Sequence, residues 1–396
     1  MVNFIFRAVI VSAILGAGIL LLVFINYAGV RISGPTENLL ALISNTTTSI
    51  ETKFIMTKRG HSRTSDLKWF SEYKYNPAHL AAPQYLLLGA FDDQAKYSFK
   101  PIVKLEDSLG TVFPIIHIYT AWGSKMEQRF PASEANSINT LGSIPLITWE
   151  PWLTDFSMKD LPDQRVTGNE GLNTIASGRY DFYIDKWAKE AKAYKHPILL
   201  RFGHEMNDPY RYPWGPHINT PEDYITAWRY VVDRFKALGA ENVLWVWSPH
   251  PAHGNFQSYY PGDEYVDWVG TSALNYGKVA SWSDWWSFGE IFDKPYYELS
   301  KFDKPIIIAE FGSVAVGGNK AVWYKDALTD FPTNYPLVKA LVFFHNSNDA
   351  TTTEKPLDWY FAQEPLVIKE MVAAMEGWSF EGTNLNIINK TITEKY

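Results

Sequence analysis

The stretch ILLRFGHEMN, residues 198–207, joins an apolar run to a compact polar cluster. Its first half is apolar apart from Arg201, and His204, Glu205 and Asn207 follow immediately. Continuous apolar runs are typical of parallel strands that are covered on both faces. Functional groups of parallel barrels lie at the carboxyl ends of the strands. The stretch therefore predicts a buried parallel strand that ends at a functional site.

Seven more apolar runs, rich in β-branched and aromatic residues, alternate with amphipathic segments. The eight runs together occupy residues 85–91, 112–119, 144–149, 197–203, 242–247, 266–274, 305–312 and 338–344. Helical patterns occupy residues 171–194, 221–239 and 319–331, with a closing helix near 358–376. The connection after the fifth run has the composition of a loop. Eight alternating units predict an α/β protein, a (β/α)8 TIM barrel over residues 84–376.

The first 30 residues predict a transmembrane helix. Residues 8–25 contain one polar side chain, Ser12, and eighteen helical residues at about 1.5 Å each nearly cross a hydrocarbon core of about 30 Å. The run is longer than the apolar part of a cleaved signal peptide and has a poor cleavage site after it. We expect residues 1–30 to anchor an extracytoplasmic domain, with secretion after cleavage as the alternative. A polar spacer with one early helix would occupy residues 31–83, and a tail residues 377–396.

Composition and missing motifs exclude several classes of function. The 396 residues carry a formal net charge of −7 without a basic run, which disfavours a nucleic-acid partner. Because there is no cysteine, disulfides and thiolate metal sites are excluded. The sequence has no serine-nucleophile elbow, phosphate-binding loop or dinucleotide glycine pattern. Sixteen tryptophans supply a large core and flat surfaces on which sugar rings can stack.

His250 and His253 raise the separate question of a metal ion. They lie three residues apart in a proline-rich loop. The sequence shows neither an HExxH motif nor an obvious third ligand, and zinc sites need at least three protein ligands. We therefore expect no metal and no cofactor.

Two glutamates end strands on opposite sides of the predicted barrel. Glu205 follows the fourth run and Glu310 ends the seventh. Strand alternation would put Glu205 on the side of Arg201, and Glu310 inward above Ile306 and Ile308. A buried carboxylate must be paired, hydrogen-bonded or functional, so an ion pair with Arg201 is the structural alternative. Glycoside hydrolysis uses two carboxyl groups, about 5–5.5 Å apart in retaining enzymes, and the pair therefore predicts that chemistry.

Five segments at the strand ends and loops belong together. They are RFGHEMN (201–207), RYPWG (211–215), AEFG (309–312), LITWEPW (146–152) and YVDWVGTSALNYG (265–277). The combination resembles glycoside hydrolase family 26, the β-mannanase family, over about residues 84–376. The resemblance implies that Glu205 is the general acid/base and Glu310 the nucleophile of a retaining barrel glycosidase.

The resemblance also implies roles for substrate-binding residues. His204 would contact the sugar beside the cleaved bond or orient the nucleophile. Tyr276 would hydrogen-bond the nucleophile, and Trp214 would line the acceptor side. Enzymes of the family usually present a tryptophan platform after strand 8, where this chain has LVFFHNSND. Either Phe344 or His345 would have to replace that platform, or the platform is absent.

Three further strand-end residues complete the predicted substrate site. Trp149 and Trp152 flank Glu150 and form either a sugar subsite or a packed strand end. His117 is either a sugar donor or a satisfied polar group, and Asn275 ends the sixth run. The chemistry requires a protonated Glu205 and an ionised Glu310. We expect burial and the charge of Glu310 to raise the pKa of Glu205, while Arg201 and Tyr276 favour the ionised Glu310.

These observations predict a membrane-anchored, retaining endo-β-glycanase with a monomeric catalytic domain and a polysaccharide substrate. A β-1,4-mannan is the first expected substrate, and a β-glucan, a xylan or the producing cell's own exopolysaccharide stays open. Two alternatives keep the same fold. One is a barrel that binds polysaccharide without cleaving it, and the other is a transglycosylase that uses the same two glutamates.

Overall fold

The computed structural model describes residues 35–162 and 171–378. Its centre is a closed barrel of eight strands in chain order, and every neighbouring pair, including the last with the first, is parallel. The strands are β1 (Leu87–Asp92), β2 (Ile115–Ala121), β3 (Ile144–Glu150), β4 (Ile198–Phe202), β5 (Val243–Trp247), β6 (Trp268–Asn275), β7 (Ile306–Ser313) and β8 (Val338–His345). Each predicted apolar run overlaps one strand, so the predicted parallel barrel is confirmed.

Helices cover the outside of the barrel in the described part of the chain. The longer ones are α1 (Pro35–Asp66), α2 (Lys100–Leu109), α3 (Ala132–Thr140), α4 (Asp181–Tyr194), α5 (Pro221–Leu238), α6 (Phe288–Leu299), α7 (Lys320–Leu328) and α8 (Pro365–Met375). Single-turn helices occupy Ser71–Lys74, Pro77–Leu80, Asn173–Ala176 and Phe331–Asn334. The helix predicted over residues 171–194 is interrupted at Gly178, whose φ of 83° lies outside the helical region.

Helix α5 shows how local sequence sets the bounds of an element. Thr220 and Asp223 form a reciprocal capping box at its start, and Pro221 occupies the first turn. Gly239 ends it in the left-handed conformation, with a φ of 73°. The connection after β5 contains only 3-10 turns, as its loop-like composition predicted. Because it contains no helix longer than these turns, the loop after β5 can line the carboxyl end of the barrel.

The barrel interior is apolar below and polar above. One buried apolar cluster contains at least one residue from every strand, and only the barrel interior can bring residues from all eight strands together. Its strand members are Leu87, Ile115, Ile144, Leu146, Leu199, Leu244, Val246, Trp268, Ile307, Ala309, Ala340 and Val342. Further along the same strands, polar side chains replace these residues toward the carboxyl ends. The carboxyl end of the barrel is therefore the face that can carry chemistry.

The segment predicted to be a spacer closes the lower end of the barrel. Leu67, Phe70, Tyr73 and Leu80 are buried and belong to the interior cluster. The indole nitrogen of Trp268 donates to the Leu80 carbonyl at 3.1 Å. The polar composition of residues 31–83 hid this packing, because the apolar residues are spaced at helical intervals among charged neighbours rather than in runs.

Helix α1 is attached to the barrel through a buried charge. Arg63 is 2 % exposed and forms an ion pair with Glu106 of α2. Its Nε also donates to the Leu141 carbonyl at 2.8 Å. A buried guanidinium needs such partners, so the later part of α1 is packed against the barrel domain and belongs to it.

The predicted membrane anchor at residues 1–30 lies outside the described residues and stays a prediction. Among residues 35–162 and 171–378, no helix combines the length and the apolar character needed to cross a bilayer. Of the predicted tail, residues 379–396 also lie outside the description. Trp378 is buried and stacks on Phe331 at 5.8 Å between ring centroids, so the packed domain reaches slightly further than residue 376.

Candidate active site

A left-handed turn after β4 sets the direction of Glu205. The strand ends at Phe202, and both Gly203 and Glu205 have positive φ, 49° and 54°. Such backbone costs a non-glycine residue about 1–3 kcal/mol and is concentrated at functional sites. The Glu205 amide donates to the Ser248 carbonyl at 2.7 Å, which ties the turn to the end of β5. Strand alternation, on which the sequence prediction relied, therefore does not position Glu205.

The Glu205 carboxylate is buried among positive and hydrogen-bonding groups. Its Oε1 accepts a hydrogen bond from the Ser272 hydroxyl at 2.8 Å, and its Oε2 lies 3.3 Å from Nη1 of Arg211. Burial by itself raises the pKa of Glu205, but His250, Arg211, His204 and Ser272 together lower it to about 2. The predicted rise is therefore wrong, and Glu205 is ionised at neutral pH.

A bulge in β7 directs Glu310 into the barrel. Ile307 and Ala309 belong to the interior cluster, whereas Ile306 and Ile308 pack on the helix side. The prediction that Ile306 and Ile308 fill the interior was wrong. The register of β7 shifts after Ile308 against both neighbouring strands, so Glu310 faces inward although Ala309 also does. Bulges beside active sites commonly re-aim a side chain in this way.

Glu310 is held by Arg201 and Tyr119. Its Oε1 pairs with the fully buried Arg201 guanidinium and accepts from the Tyr119 hydroxyl at 2.8 Å. Burial by itself lowers the pKa of Arg201, but the negative charge of Glu310 raises the pKa of Arg201 above its ordinary value. Thr148 accepts from Nε of Arg201 at 2.7 Å, and His117 Nε2 lies 2.7 Å from the same hydroxyl. His117 is thus fully buried and held through Nε2 by Thr148, so it does not reach a sugar.

The hydroxyl that contacts Glu310 comes from β2 rather than from β6. The resemblance assigned this role to Tyr276, and the structure gives it to Tyr119. Tyr276 packs edge-on against Trp282 and Trp359, with ring centroids 5.4 and 5.0 Å away. The sequence could have indicated Tyr119. Side chains alternate between the two faces of a strand, so Tyr119 lies on the same face of the second run as His117.

Ser272 connects the two glutamates. Its hydroxyl bonds to Glu205, and its position on β6 is aligned with Glu310 on the adjacent β7. Neighbouring strands lie about 4.8 Å apart. Both carboxylates also act electrostatically on Arg211 and Tyr276. Glu205 therefore reaches the strand next to Glu310, at the carboxyl end of the barrel.

Three aromatic residues cover the site next to Glu205. Tyr212 and Trp214 stack with ring centroids 4.5 Å apart, and Trp152 packs edge-on against Trp214 at 5.4 Å. Trp214 is 1 % exposed and donates to the His204 carbonyl at 2.6 Å, so it supports the loop instead of lining the acceptor side as predicted. Tyr212 and Trp152 are partly exposed and are the available sugar-stacking faces.

His204 is a buried, neutral ring. Burial, with Arg201 adding to the effect, lowers the pKa of His204 well below its ordinary value. Its Nε2 lies 3.2 Å from the Tyr212 hydroxyl. Because the ring is uncharged at neutral pH, the ionised state of Glu205 depends chiefly on His250, Arg211 and the Ser272 hydroxyl.

Glu150 adds a third carboxyl group that the sequence did not single out as chemically active. It ends β3 and accepts from the Trp152 indole at 3.2 Å. Burial raises the pKa of Glu150 to about 7, and the charge of Glu310 adds to the increase. Glu150 therefore carries a proton over part of the neutral range and limits the negative charge of the site.

Two predicted substrate residues, Trp149 and Asn275, are fully buried. Trp149 packs against Trp122 at 4.6 Å between ring centroids, which matches the packed strand end considered as its alternative. The Asn275 amide nitrogen donates to the Ser313 hydroxyl at 3.0 Å, and its oxygen accepts from the Gly277 amide at 3.1 Å. Both residues hold strands and loops together and do not reach a substrate.

The expected replacements for a platform after β8 are also inside the protein. Phe344 is 7 % exposed and stacks on Phe91 with ring centroids 5.2 Å apart. His345 is fully buried, with Nδ1 2.6 Å from Asp92 Oδ2 and Nε2 accepting from the Ala362 amide. Neither ring presents a face on which a sugar could stack, so the prediction for both was wrong.

Comparison with known proteins places the chain in a family. The model of glycosyl hydrolase family 26 matches residues 145–360, more than half of the chain. The chain belongs to this family. As a member of glycosyl hydrolase family 26 it is a glycoside hydrolase, and the matched segment contains both Glu205 and Glu310.

Curated relatives of this family 26 chain carry different substrate names. Endoglucanase H of Acetivibrio thermocellus is 37% identical over 273 residues, 67% of this chain and 27% of that protein. A β-1,3-xylanase of a Vibrio species is 32% identical over 130 residues, 30% of this chain and 27% of that protein. Mannan endo-1,4-β-mannosidase of Bacillus subtilis is 25% identical over 177 residues, 42% of this chain and 43% of that protein. The chain thus spans about a quarter of the first two relatives and less than half of the third.

Solved structures agree on the fold. A family 26 β-mannanase from Bacteroides ovatus superposes with a TM-score of 0.56 at 18% identity, covering 77% of this chain and 93% of that chain. The mannanase of Bacillus subtilis gives a TM-score of 0.52 at 18% identity, covering 76% and 88%. At this level of identity the likeness establishes the barrel architecture.

Arg211 is expected to control the pH at which Glu205 can donate a proton. The positive charge of Arg211 favours the carboxylate, so Arg211→Met should raise the pKa of Glu205. The protonated acid then persists to higher pH, and the alkaline limb of the pH–rate profile should move up by about 1 unit, which corresponds to about 1.4 kcal/mol. Values of kcat/KM for glycan hydrolysis, which report the pKa of Glu205 in the free enzyme, would measure the shift when determined from about pH 2 upward.

Arg211→Lys is the matched control for this experiment, because it keeps the charge while changing the hydrogen-bonding geometry. Its alkaline limb should stay close to that of the unchanged enzyme. A profile that moves equally in both variants, or in neither, would show that the charge of Arg211 does not set the protonation of Glu205.

Proposed function

We propose that this chain is a retaining endo-β-glycanase in which Glu205 is the acid/base and Glu310 the nucleophile. The observation that supports it most is the meeting of both carboxylates at Ser272, one through a hydrogen bond and one across the β6–β7 pair. An ion pair alone would explain Glu310 with Arg201. Glu205 likewise pairs with Arg211, but two ion pairs would not explain why one of these buried carboxylates lies in a strained left-handed turn beside the other.

In the first step Glu205 donates its proton to the glycosidic oxygen while Glu310 attacks the anomeric carbon. The bond between that carbon and the leaving oxygen breaks, and a glycosyl ester of Glu310 forms. Arg201 and Tyr119 both contact Oε1, so Oε2 is the proposed attacking atom. These two residues hold the carboxylate at a fixed angle and limit the motion needed to reach the transition state.

In the second step the Glu205 carboxylate removes a proton from water. The resulting hydroxide attacks the anomeric carbon, the ester bond breaks, and Glu310 leaves as a carboxylate. The lowered pKa keeps Glu205 ionised, as a base must be, but also makes it a weak base, so both roles require its pKa to rise when the sugar binds. For the acid role, the leaving sugar must displace water and separate Glu205 from Arg211, because both changes favour the neutral carboxyl group.

A β-glucan is the substrate that we favour, ahead of the mannan expected from the sequence motifs. The platform expected after β8 is absent, since Phe344 and His345 are both buried. The relative named an endoglucanase is 37% identical over 273 residues, whereas those named mannan endo-1,4-β-mannosidases are 25% to 28% identical over 162 to 177 residues. The sugar would stack on Tyr212 and Trp152, the partly exposed rings beside Glu205.

The purified full-length chain should be incubated with mixed-linkage glucan, mannan, glucomannan and xylan. We expect new reducing ends to form fastest on the glucan, with a rapid fall in polymer size and a first product of unchanged anomeric configuration in NMR spectra. Faster cleavage of mannan would overturn the substrate assignment. Elongated oligomers would identify a transglycosylase, and four unchanged polymers would identify a binding protein.

A further inference from the structure

The loops that follow β4 and β5 bring two imidazoles and a carboxylate together near Glu205. Asp208, His250 and His253 each offer one ligand atom, and these atoms lie within 4.8 Å of one another. Nε2 of His253 is 3.5 Å from Oδ1 of Asp208. The sequence prediction of no metal site depended on the lack of a third ligand. Folding supplies that ligand from a residue 42 positions before His250.

The backbone that carries the two histidines is held in place by Asn207. Its amide nitrogen donates to the carbonyls of His250 and Gly254 at 3.1 and 3.3 Å, and its oxygen accepts from the His250 amide at 2.7 Å. Asp208, the next residue, is itself fixed by accepting from the Tyr210 amide at 2.8 Å. The backbone that carries the three side chains is therefore held in place by hydrogen bonds. This lowers the loss of conformational entropy when the side chains bind a common ligand.

The donor set and its spacing suit a first-row transition metal. Imidazole nitrogens favour Zn²⁺, Ni²⁺ or Cu²⁺ over Mg²⁺ and Ca²⁺. In a tetrahedral zinc site with bonds of about 2.0–2.2 Å, two donor atoms lie about 3.3–3.5 Å apart. The separation of His253 and Asp208 already equals this value. A small rotation of the His250 ring would complete a site with three protein ligands and one open position.

A simple ion pair between His253 and Asp208 is the alternative, with His250 accepting from the Ala252 amide through Nδ1 at 3.2 Å and acting on the Glu205 carboxylate. The His250 and His253 rings lie 4.8 Å apart between centroids, at an interplanar angle of 34°. Two imidazoles at this distance gain nothing from a shared carboxylate if both are charged, because they repel each other. A cation among the three side chains accounts for all of them at once.

We propose that Asp208, His250 and His253 bind one divalent transition-metal ion, with Zn²⁺ as the first candidate. The ion would join the loop after β4 to the loop after β5 and so position the turn that carries Glu205. In this role it takes no part in bond cleavage. The proposal does not depend on which polysaccharide the enzyme cleaves.

The test is zinc binding by the purified full-length chain after treatment with a chelator, followed by isothermal titration with ZnCl₂. We expect one Zn²⁺ per chain and a higher midpoint of thermal unfolding in its presence. His253→Ala should weaken zinc binding by at least about 100-fold, since even outer partners of metal ligands contribute 10- to 100-fold. The His253 side chain is 30% exposed, so its removal should leave the fold intact.

His61→Ala is the matched control, because His61 is exposed on α1 and far along the chain from the three ligands. Zinc binding by this variant should equal that of the unchanged chain. Asp208→Asn, which keeps the shape of the side chain, should lose affinity as His253→Ala does. The proposal is overturned if the unchanged chain binds no zinc, or if His253→Ala and Asp208→Asn bind it as tightly as His61→Ala.

Discussion

Replacing Glu310 with alanine should lower the rate constant for glycan cleavage by at least about 1,000-fold, a loss of about 4 kcal/mol of transition-state stabilisation. The physical reason is that no covalent glycosyl intermediate can form without the attacking carboxylate. Arg201 has no nucleophilic atom, and burial raises the pKa of Tyr119 well above its ordinary value, so its neutral hydroxyl is a poor substitute for the carboxylate. Initial rates on the preferred polymer, measured with the same preparation of full-length enzyme, give the ratio directly.

The difficulty with Glu310→Ala is that it leaves the buried Arg201 guanidinium unpaired, which destabilises the fold for reasons unrelated to catalysis. Glu310→Gln addresses this, because the amide oxygen still accepts from Arg201 and Tyr119 while the amide is a poor nucleophile. It should unfold near the temperature of the unchanged enzyme and be nearly inactive. Glu241→Ala, at an exposed position, serves as the control with unchanged rate and stability. Substantial activity in Glu310→Gln would remove Glu310 as the nucleophile.

The barrel could be predicted from the sequence because its signal is local and repeated. Each strand is a short apolar run, because both faces of a parallel strand in the barrel are buried. Such a run can be recognised in the sequence without knowing which strands lie beside it. The meeting of Glu205 and Glu310 followed from the barrel topology, since the ends of all parallel strands point to one face.

The orientation of individual side chains could not be predicted in the same way. Alternation gave the wrong interior residues for β7, because a bulge after Ile308 depends on hydrogen bonding to both neighbouring strands. It also failed after β4, where Gly203 and Glu205 leave the strand in left-handed backbone. A bulge or a left-handed glutamate is a property of the assembled sheet and leaves little trace in a single segment.

The aromatic residues show a second limit of sequence reasoning. Trp214 was expected to line the acceptor side, and Trp149 and Trp152 to form either a subsite or a packed strand end. Trp149 and Trp214 are packed inside, while Tyr212 and Trp152 are partly exposed. Composition alone cannot decide between these pairs, since a tryptophan is equally suited to a core and to a sugar platform. Whether its face is covered depends on loops from other parts of the chain.

Replacing Glu205 with alanine should separate the two chemical steps. On polysaccharide, whose leaving oxygen needs a proton, the rate should fall by about 100- to 10,000-fold, the usual contribution of general acid–base catalysis. On an aryl glycoside with an acidic phenol, attack by Glu310 needs no proton donor and should stay fast. The glycosyl ester should then accumulate, because no base activates water, and a burst of phenol should precede a slow steady state.

Sodium azide gives this prediction a specific signature. Azide is a nucleophile that needs no general base, so it should attack the anomeric carbon of the accumulated ester, break the bond to Glu310 and release a glycosyl azide of retained configuration. Ser272→Ala is the matched control, since it removes the hydrogen bond to Glu205 but leaves its carboxyl group, and azide should not change its products. Glu310→Gln has no nucleophile to form the ester and should show no burst. Glu205 is not the acid/base if Glu205→Ala loses aryl glycoside and polysaccharide cleavage equally and azide restores neither. The proton must then come from another group. Glu150 would be the next carboxyl group to test, because its pKa is raised to about 7.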